Sequence, residues 1–379
     1  MPRAAIAARS EHDPLTLRDI NRATLARQML LAREAVAPLK AIERLAGLQA
    51  QWPKPPHLGL WSRLEGFERG ALLALLGKRQ AVRATMMRGT LHVVSAKDYV
   101  ALRPIFQPML TRAVAAVLRE RMKGIVIDEV VAEAREVLHG KPATFEDVRD
   151  ALAKLHPRAD ARAMGFVVRM SIPLVQVPRD EGGEDAGWGY PTAPAFAMGE
   201  DWVGKRLSAS TTMATLVLRY LAAFGPGTAS DVQTWSGVQG AKEAVEALRP
   251  KLVVLRDERK RELFDLPDAP RPGAGVDAPV RFLPAFDNLV LAHTDRRRFV
   301  ADEHRKRVYL PGLRIAPTFL VDGFVAGTWG TTRTKKDAVL TITSFAPLAK
   351  KAKAALADEA ERLVRFAEPA AATFAVRFA

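Results

Sequence analysis

The chain has 379 residues, 48% hydrophobic and 26% charged, which exceeds one ordinary domain and has globular composition. It contains no cysteine, which excludes disulfides, thiolate zinc sites, cysteine-ligated clusters and a cysteine nucleophile. The net charge of +15 favours a polyanionic partner, above all nucleic acid, although a generally Arg-rich proteome would raise the charge as well.

Met1 to Ser10 is rich in Ala and Arg and lacks an apolar signal core, which predicts a short disordered lead. No apolar run approaches the length of a membrane span, so a cytoplasmic, nucleoid-associated protein is expected. Thr16 to Leu31 has the pattern of a helix with Leu17, Ile20, Leu25 and Met29 buried and Thr16 and Asp19 capping its start. A second helix is predicted over Pro38 to Leu48 and a third over Phe67 to Lys78. Two strands, Ala81 to Met87 and Leu91 to Ser95, are joined by a turn at Arg88-Gly89-Thr90. Three helices followed by a hairpin is the order of a winged helix.

That order returns twice. Thr111 to Met122, Asp128 to His139 and Thr144 to His156 are helical in pattern, and Ile172 to Val177 is strand-like. Asp180 to Gly189 is a Gly- and acid-rich loop, a wing tip or a linker. Then come helices over Thr211 to Phe224, Ser230 to Trp235 and Gln239 to Leu248, and a hairpin over Leu252 to Leu266. Its basic tip, with Arg259, Lys260 and Arg261, suits contact with DNA; a solvated hairpin end would carry the same charges. After a Pro/Gly linker from Ala269 to Ala278, short β-like runs follow: Val280 to Leu283, Asn288 to Ala292, Thr318 to Val321, Phe324 to Thr328 and Ala338 to Thr343. Asp322-Gly323 is a tight-turn signal. A last helix is expected over Ala346 to Phe366. Arg296, Arg297, Arg298, Arg305, Lys306 and Arg307 form a phosphate-binding candidate or a solvated loop. The predicted fold is α+β: three tandem winged helices (residues 1–105, 106–200 and 201–270) and a β-barrel-like C-terminal domain (271–379).

The stretch from Leu48 to Pro56 is the candidate for chemistry. Gln49 and Gln51 lie one residue apart where a helix gives way to a stiff loop, with Pro53 ending the helix and biasing Trp52 toward an extended conformation. If Gln49 to Gln51 are extended, both amides point the same way. Two parallel amides can hold a water or a sugar, because each offers a donor and an acceptor. Glutamines after a helix are also ordinary surface residues. The seven histidines show no close helical pair, so no metal or other cofactor is expected.

Leu48-Gln49-Ala50-Gln51, Met87-Arg88-Gly89-Thr90-Leu91-His92, Leu283-Pro284-Ala285-Phe286-Asp287 and Val321-Asp322-Gly323 through Gly327-Thr328-Trp329 occur in this order. Together they resemble the bacterial winged-helix DNA glycosylase family that contains the interstrand-crosslink glycosylase of azinomycin-producing bacteria. The resemblance covers about Leu15 to Phe366. It implies a concave basic surface, a Gln-x-Gln catalytic motif at Gln49 and Gln51, and removal of cationic N7-alkylguanines from duplex DNA, some members also unhooking crosslinks. Asp287 and His92 lie in family-like motifs and are candidates to assist; a turn-capping Asp and a satisfied buried His are the plainer readings. Arg88 joins the cations expected to meet DNA. A monomeric, monofunctional glycosylase follows from this reading. The rival from another class is a winged-helix regulator without enzymatic activity, which would usually dimerise on a palindrome.

Overall fold

Thr16 starts the first helix of the computed structural model, which describes residues 13–117, 119–179 and 187–379. The lead from Met1 to Ser10, and residues 180–186 of the Asp180 to Gly189 loop, lie outside the described residues. Thr16 accepts from the Asp19 amide while Asp19 bonds back to the Thr16 amide, a reciprocal cap. Helix α1 (Leu17–Arg27) buries polar residues as well as apolar ones. Arg27 makes a two-pronged ion pair with Asp265, both bonds 2.7 Å long and both side chains buried. Asn21 donates to the carbonyls of Arg298 and Gly323, each at 2.9 Å. This helix therefore pins distant parts of the chain together, which an apolar stripe alone does not reveal.

One topology then occurs three times. In the first repeat α2 (Pro38–Arg44), β1 (Leu48–Gln49), α3 (Lys54–Trp61), α4 (Arg69–Gly77), β2 (Ala81–Thr85) and β3 (Leu91–Ser95) follow in order. The short first strand pairs with the last, Leu48 opposite Val93 and Gln49 opposite His92. Helix α5 (Ala96–Val117) leads to the second repeat and starts well before the expected Thr111. Pro104 and Pro108 lie inside it, residues that normally break such a helix and hid its first half from the sequence pattern. The second repeat is α6 (Ile127–Leu138), β4 (Ala143–Thr144), α7 (Phe145–Leu155), α8 (Ala161–Ser171), β5 (Leu174–Gln176) and β6 (Ala195–Met198), with β4 paired to β6. Helix α8 was not anticipated. After α9 (Gly199–Val203), the third repeat is α10 (Met213–Phe224), α11 (Ala229–Ser236), α12 (Ala241–Leu248), β7 (Val253–Arg256) and β8 (Glu262–Asp265). Here Gly227 alone takes the place of the short strand and bridges Phe264.

The first two repeats share one sheet. Its order is β1-β3-β2-β5-β6-β4, because β2 pairs antiparallel with β5, Arg83 opposite Gln176. The order is a palindrome of strand roles, and the junction covers two edges that separate hairpins would leave open.

The C-terminal part departs from the expected barrel. Past β9 (Arg281–Leu283) come α13 (Asn288–Leu291), α14 (Arg305–Val308), β10 (Tyr309–Leu310), β11 (Arg314–Ile315), β12 (Thr318–Val321), β13 (Phe324–Arg333), β14 (Asp337–Ser344), α15 (Lys350–Ala367) and β15 (Thr373–Phe378). Five strands form an open sheet in the order β15-β14-β13-β12-β9; β9 and β15 are its edges and do not meet, so no barrel closes. Asn288 to Leu291, expected as a strand, is helical because the Asp287 side chain accepts from the Leu289 amide and caps it. Strand β15 was not foreseen. It lies parallel to β14, and α15 makes the crossover that a parallel pair requires. Leu356, Ala360, Leu363 and Val364 of α15 pack with Phe319, Leu340 and Ile342 of the sheet. Among the described residues no helix is long and apolar enough to cross a membrane.

Candidate active site

Two left-handed residues, Ala46 (φ 53°) and Gly47 (φ 91°), turn the chain from α2 straight into β1. A Cβ on Gly47 would stand 2.7 Å from a Val94 methyl carbon, so the turn requires glycine. This sharp exit places Leu48 and Gln49 in the sheet, although Leu48 continues the helical spacing of the preceding residues.

Gln49 is 7% exposed, and its Oε1 accepts from Arg88 Nη2 at 2.7 Å. Arg88 comes from the β2–β3 turn, where it holds φ 56°. Its Nη2 also donates to Asn288 Oδ1 at 3.0 Å, and its Nη1 to the Trp235 carbonyl at 2.5 Å. Asn288 Nδ2 reaches back to the Gly47 carbonyl at 3.3 Å. Strand β1, the β2–β3 turn, α11 and α13 thus converge on one guanidinium. Burial and the neighbouring Arg296 lower the Arg88 pKa to about 10, which still leaves it cationic at neutral pH. A guanidinium only donates, so it fixes the Gln49 amide with oxygen inward and leaves Nε2–H to the site.

Gln51 is placed differently. Arg83 donates to the Ala50 carbonyl at 2.8 Å and to the Gln51 carbonyl at 3.1 Å, and the Ala50 amide donates to the Leu91 carbonyl at 2.7 Å. The loop is held through its backbone, while the Gln51 side chain is exposed. Trp52 is 50% exposed and meets the Phe286 ring edge-on at 5.1 Å. The two glutamines are therefore inequivalent, one clamped and one open.

Asp287 is buried in a two-pronged pair with Arg63, both bonds 2.9 Å. Its carboxylate also caps α13, so it is committed to structure. Gln49, Asp287, Asn288, Gln28 and Arg63 nevertheless line one small cavity of about 10 Å³, the scale of a single water, together with apolar residues such as Leu48 and Phe286. His92, directly opposite Gln49 in the sheet, bonds through Nδ1 to the Thr90 carbonyl at 3.0 Å. Burial, with Arg88 nearby, lowers its pKa to about 3. It is neutral at physiological pH and supplies no acid proton there.

The cations proposed from sequence divide by placement. Arg88 faces inward. Arg298 is 5% exposed and donates to the carbonyls of Phe224 (3.1 Å) and Pro226 (2.9 Å). Arg296 donates to the Val290 carbonyl at 2.7 Å and lies over the Tyr309 ring. Arg297 bonds Asp295 at 2.8 Å, and the Arg297 bond is the first cause holding the Asp295 carboxyl near a pKa of about 2. Asp295 also takes Arg261 at 3.1 Å and Arg259 at 3.9 Å, which ties the β7–β8 tip to the C-terminal part. Arg305 pairs with Asp302 at 3.3 Å, and Arg307 lies over the Phe345 ring. Lys260, Lys306 and Arg307 are exposed. Three residues went unnoticed in the sequence: Arg83, Trp235 (through its carbonyl) and Asn288. Only Asn288 had a signal, its place directly after the Leu283 to Asp287 stretch. Among the described residues no group of three or more His, Asp or Glu could hold a metal ion.

The chain and its fold have counterparts. The chain is 25% identical over 331 residues to the interstrand DNA cross-link repair glycosylase of Streptomyces sahachiroi, covering 80% of this chain and 84% of that protein. Its fold matches the solved structure of the Streptomyces sahachiroi DNA glycosylase AlkZ with a TM-score of 0.75 at 19% identity, over 97% of this chain and 100% of that one. The family model described as DNA glycosylase AlkZ-like matches residues 42–366, which include Gln49, Gln51, Arg88 and Asn288. This chain belongs to the AlkZ-like DNA glycosylase family.

Proposed function

We propose that the protein is a monofunctional, hydrolytic and metal-free glycosylase that releases cationic N7-alkylguanine from duplex DNA as a monomer in the cytoplasm. The observation that carries this is the pairing of a clamped Gln49 with an exposed Gln51 on a loop held by its backbone. Gln49 Nε2–H donates to the oxygen of a water and Gln51 Oε1 accepts one of its protons. That water's free lone pair then faces C1′ of the damaged nucleotide. As the N9–C1′ bond breaks, its electron pair enters the purine and cancels the positive charge, so no strong acid is needed. The sugar develops oxocarbenium character, the water oxygen bonds C1′, and its surplus proton passes to solvent. Neutral bases lack this leaving-group charge and stay in place.

Each repeat is a winged helix in this reading, with boundaries near residues 105, 200 and 270. Support comes from the thrice-repeated order and the pairing of the first short strand, or Gly227, with the last. Arg259, Lys260, Arg261, Lys306 and Arg307 are the cations that meet phosphate, and Trp52 offers a ring beside the lesion. Unhooking of interstrand crosslinks follows from the relative's named role. The test is to incubate the protein with a duplex carrying one N7-methylguanine. Abasic sites are expected there and none in an undamaged duplex; their absence at the lesion leaves the non-enzymatic DNA-binding reading.

A further inference from the structure

The second repeat holds a pocket of about 660 Å³ that the chemistry above does not use. Its size falls within the range of small-molecule sites. Helix α8 presents Arg162, Gly165, Phe166 and Arg169 to it, one face at helical spacing. Phe145 of α7 and Phe196 of β6 form an edge-to-face pair in the wall, with centroids 4.8 Å apart. Gly165 permits this, since a Cβ there would stand 3.1 Å from the Phe145 ring. Gln176 of β5 lines the pocket, is buried, and has an Oε1 without a hydrogen-bond donor. A buried acceptor left open is costly unless a ligand fills it. At the rim Arg149 is paired with Glu146 and Asp150, and Arg121 stands 4.0 Å from Asp160. Arg162 and Arg169 have no carboxylate partner among the described residues.

The pocket also adjoins the glutamine loop. Leu91 lines it, and the Leu91 carbonyl receives the Ala50 amide. Gln176 is the sheet partner of Arg83, whose guanidinium holds the Gln51 carbonyl.

We propose that this pocket binds one uncharged nucleobase with its phosphate, displaced from the duplex opposite the lesion. Aromatic walls stack a flat ring, Gln176 Oε1 takes a ring or exocyclic N–H, and Arg162 and Arg169 take the phosphate. The alkylated base itself is excluded, because its positive charge is repelled by the same arginines. The DNA source rests on the glycosylase reading; a free nucleotide has the same chemistry and is the other source.

The test uses two probes with the full chain. One is a duplex with 2-aminopurine opposite a 2′-fluorinated N7-methylguanine, which resists excision because fluorine destabilises the developing sugar cation. The other is free 2-aminopurine deoxynucleoside monophosphate. A severalfold fluorescence change in the duplex, lost or shifted about tenfold to weaker binding in Gln176→Leu and Arg169→Gln, establishes the displaced base. A change with the free nucleotide alone, lost in the same variants, supports the pocket as a site for free nucleotide and overturns the DNA source. No change with either probe, or changes equal in wild type and both variants, overturns the proposal. Gln176→Leu should not lower Tm, because it removes an unsatisfied acceptor; if it does, Arg169→Gln decides, since that side chain has no carboxylate to lose. Abasic-site formation on an ordinary N7-methylguanine duplex is scored in parallel. Its failure counts against the glycosylase reading, and the free-nucleotide arm does not depend on it.

Discussion

Arg88 Nη2 stands 2.7 Å from Gln49 Oε1 and shares its reach with Asn288 Oδ1, so a cation with no hydrogen-bonded carboxylate sets the direction of the amide. Under the proposed function the two identical side chains take opposite roles: Gln49 gives a proton to a hydrogen bond and Gln51 receives one. In the same reading Arg88 acts as a positioning residue and not as a phosphate contact.

Arg88→Met should therefore slow excision by roughly tenfold or more, the scale of losing one positioned dipole. Arg88→Lys should recover part of the rate, since an ammonium keeps the charge but not the fork. The discriminating readout is the salt dependence of binding. A residue on phosphate contributes about one unit to the slope of log K against log salt. The slope should be the same in all three proteins; a slope reduced by one in Arg88→Met would return Arg88 to the DNA surface.

The exposed cations should behave in the opposite way. Replacing Lys306 and Arg307, or Lys260 at the β7–β8 tip, with Ala should weaken binding to all duplex sequences and flatten the salt slope. Arg298→Ala should leave the slope alone and lower stability, because it strips the buried carbonyls of Phe224 and Pro226 of their donor. Fluorescence anisotropy at several salt concentrations, with chemical denaturation alongside, separates the two groups. Unchanged slopes in the Lys and Arg307 variants would remove those residues from the interface.

Acid should destabilise the protein through its buried imidazoles. Burial is the first cause lowering His57 and His92 to about 3, and it holds His293 well below the ordinary value. Unfolded histidines titrate near pH 6.5. As pH falls below that point the unfolded chain takes up protons that the native state refuses, so stability present above about pH 6.5 is lost toward pH 3. Each group contributes a slope of up to about 1.4 kcal/mol per pH unit in that window. Urea unfolding at pH 7, 6 and 5 should show the decline, and His92→Gln should reduce it; a flat profile would mean these rings are not held neutral. Excision should be level between pH 6 and 8, because neither glutamine titrates. A bell-shaped rate profile there would point to an acid–base pair instead.

Much of this was legible in the chain and some was not, for reasons of range. The capping box at Thr16, the hairpin around Arg88 and the Asp322-Gly323 turn are local, and local signals survive in sequence. Gln49 and Gln51 stood out through spacing and family likeness, but their inequivalence depends on Asn288 and Trp235, which are distant in the chain. Arg298 looked like a surface cation because a run of three arginines shows charge and not direction. The open C-terminal sheet was mistaken for a barrel because edge strands and closing strands have the same alternation. The shared sheet of the first two repeats rests on the β2–β5 pairing, a contact between residues about 90 positions apart that no periodicity announces.

The central claim is that Gln49 and Gln51 orient one water as a unit, and single-turnover excision of N7-methylguanine tests it most directly. Gln51→Ala should lose on the order of a hundredfold or more in rate while keeping most of its affinity for the same duplex. Gln49→Ala should lose a similar factor, and the double variant less than the product of the two. Folding should be kept in Gln51→Ala, whose side chain is exposed. Excision by Gln51→Ala at the wild-type rate would contradict the account.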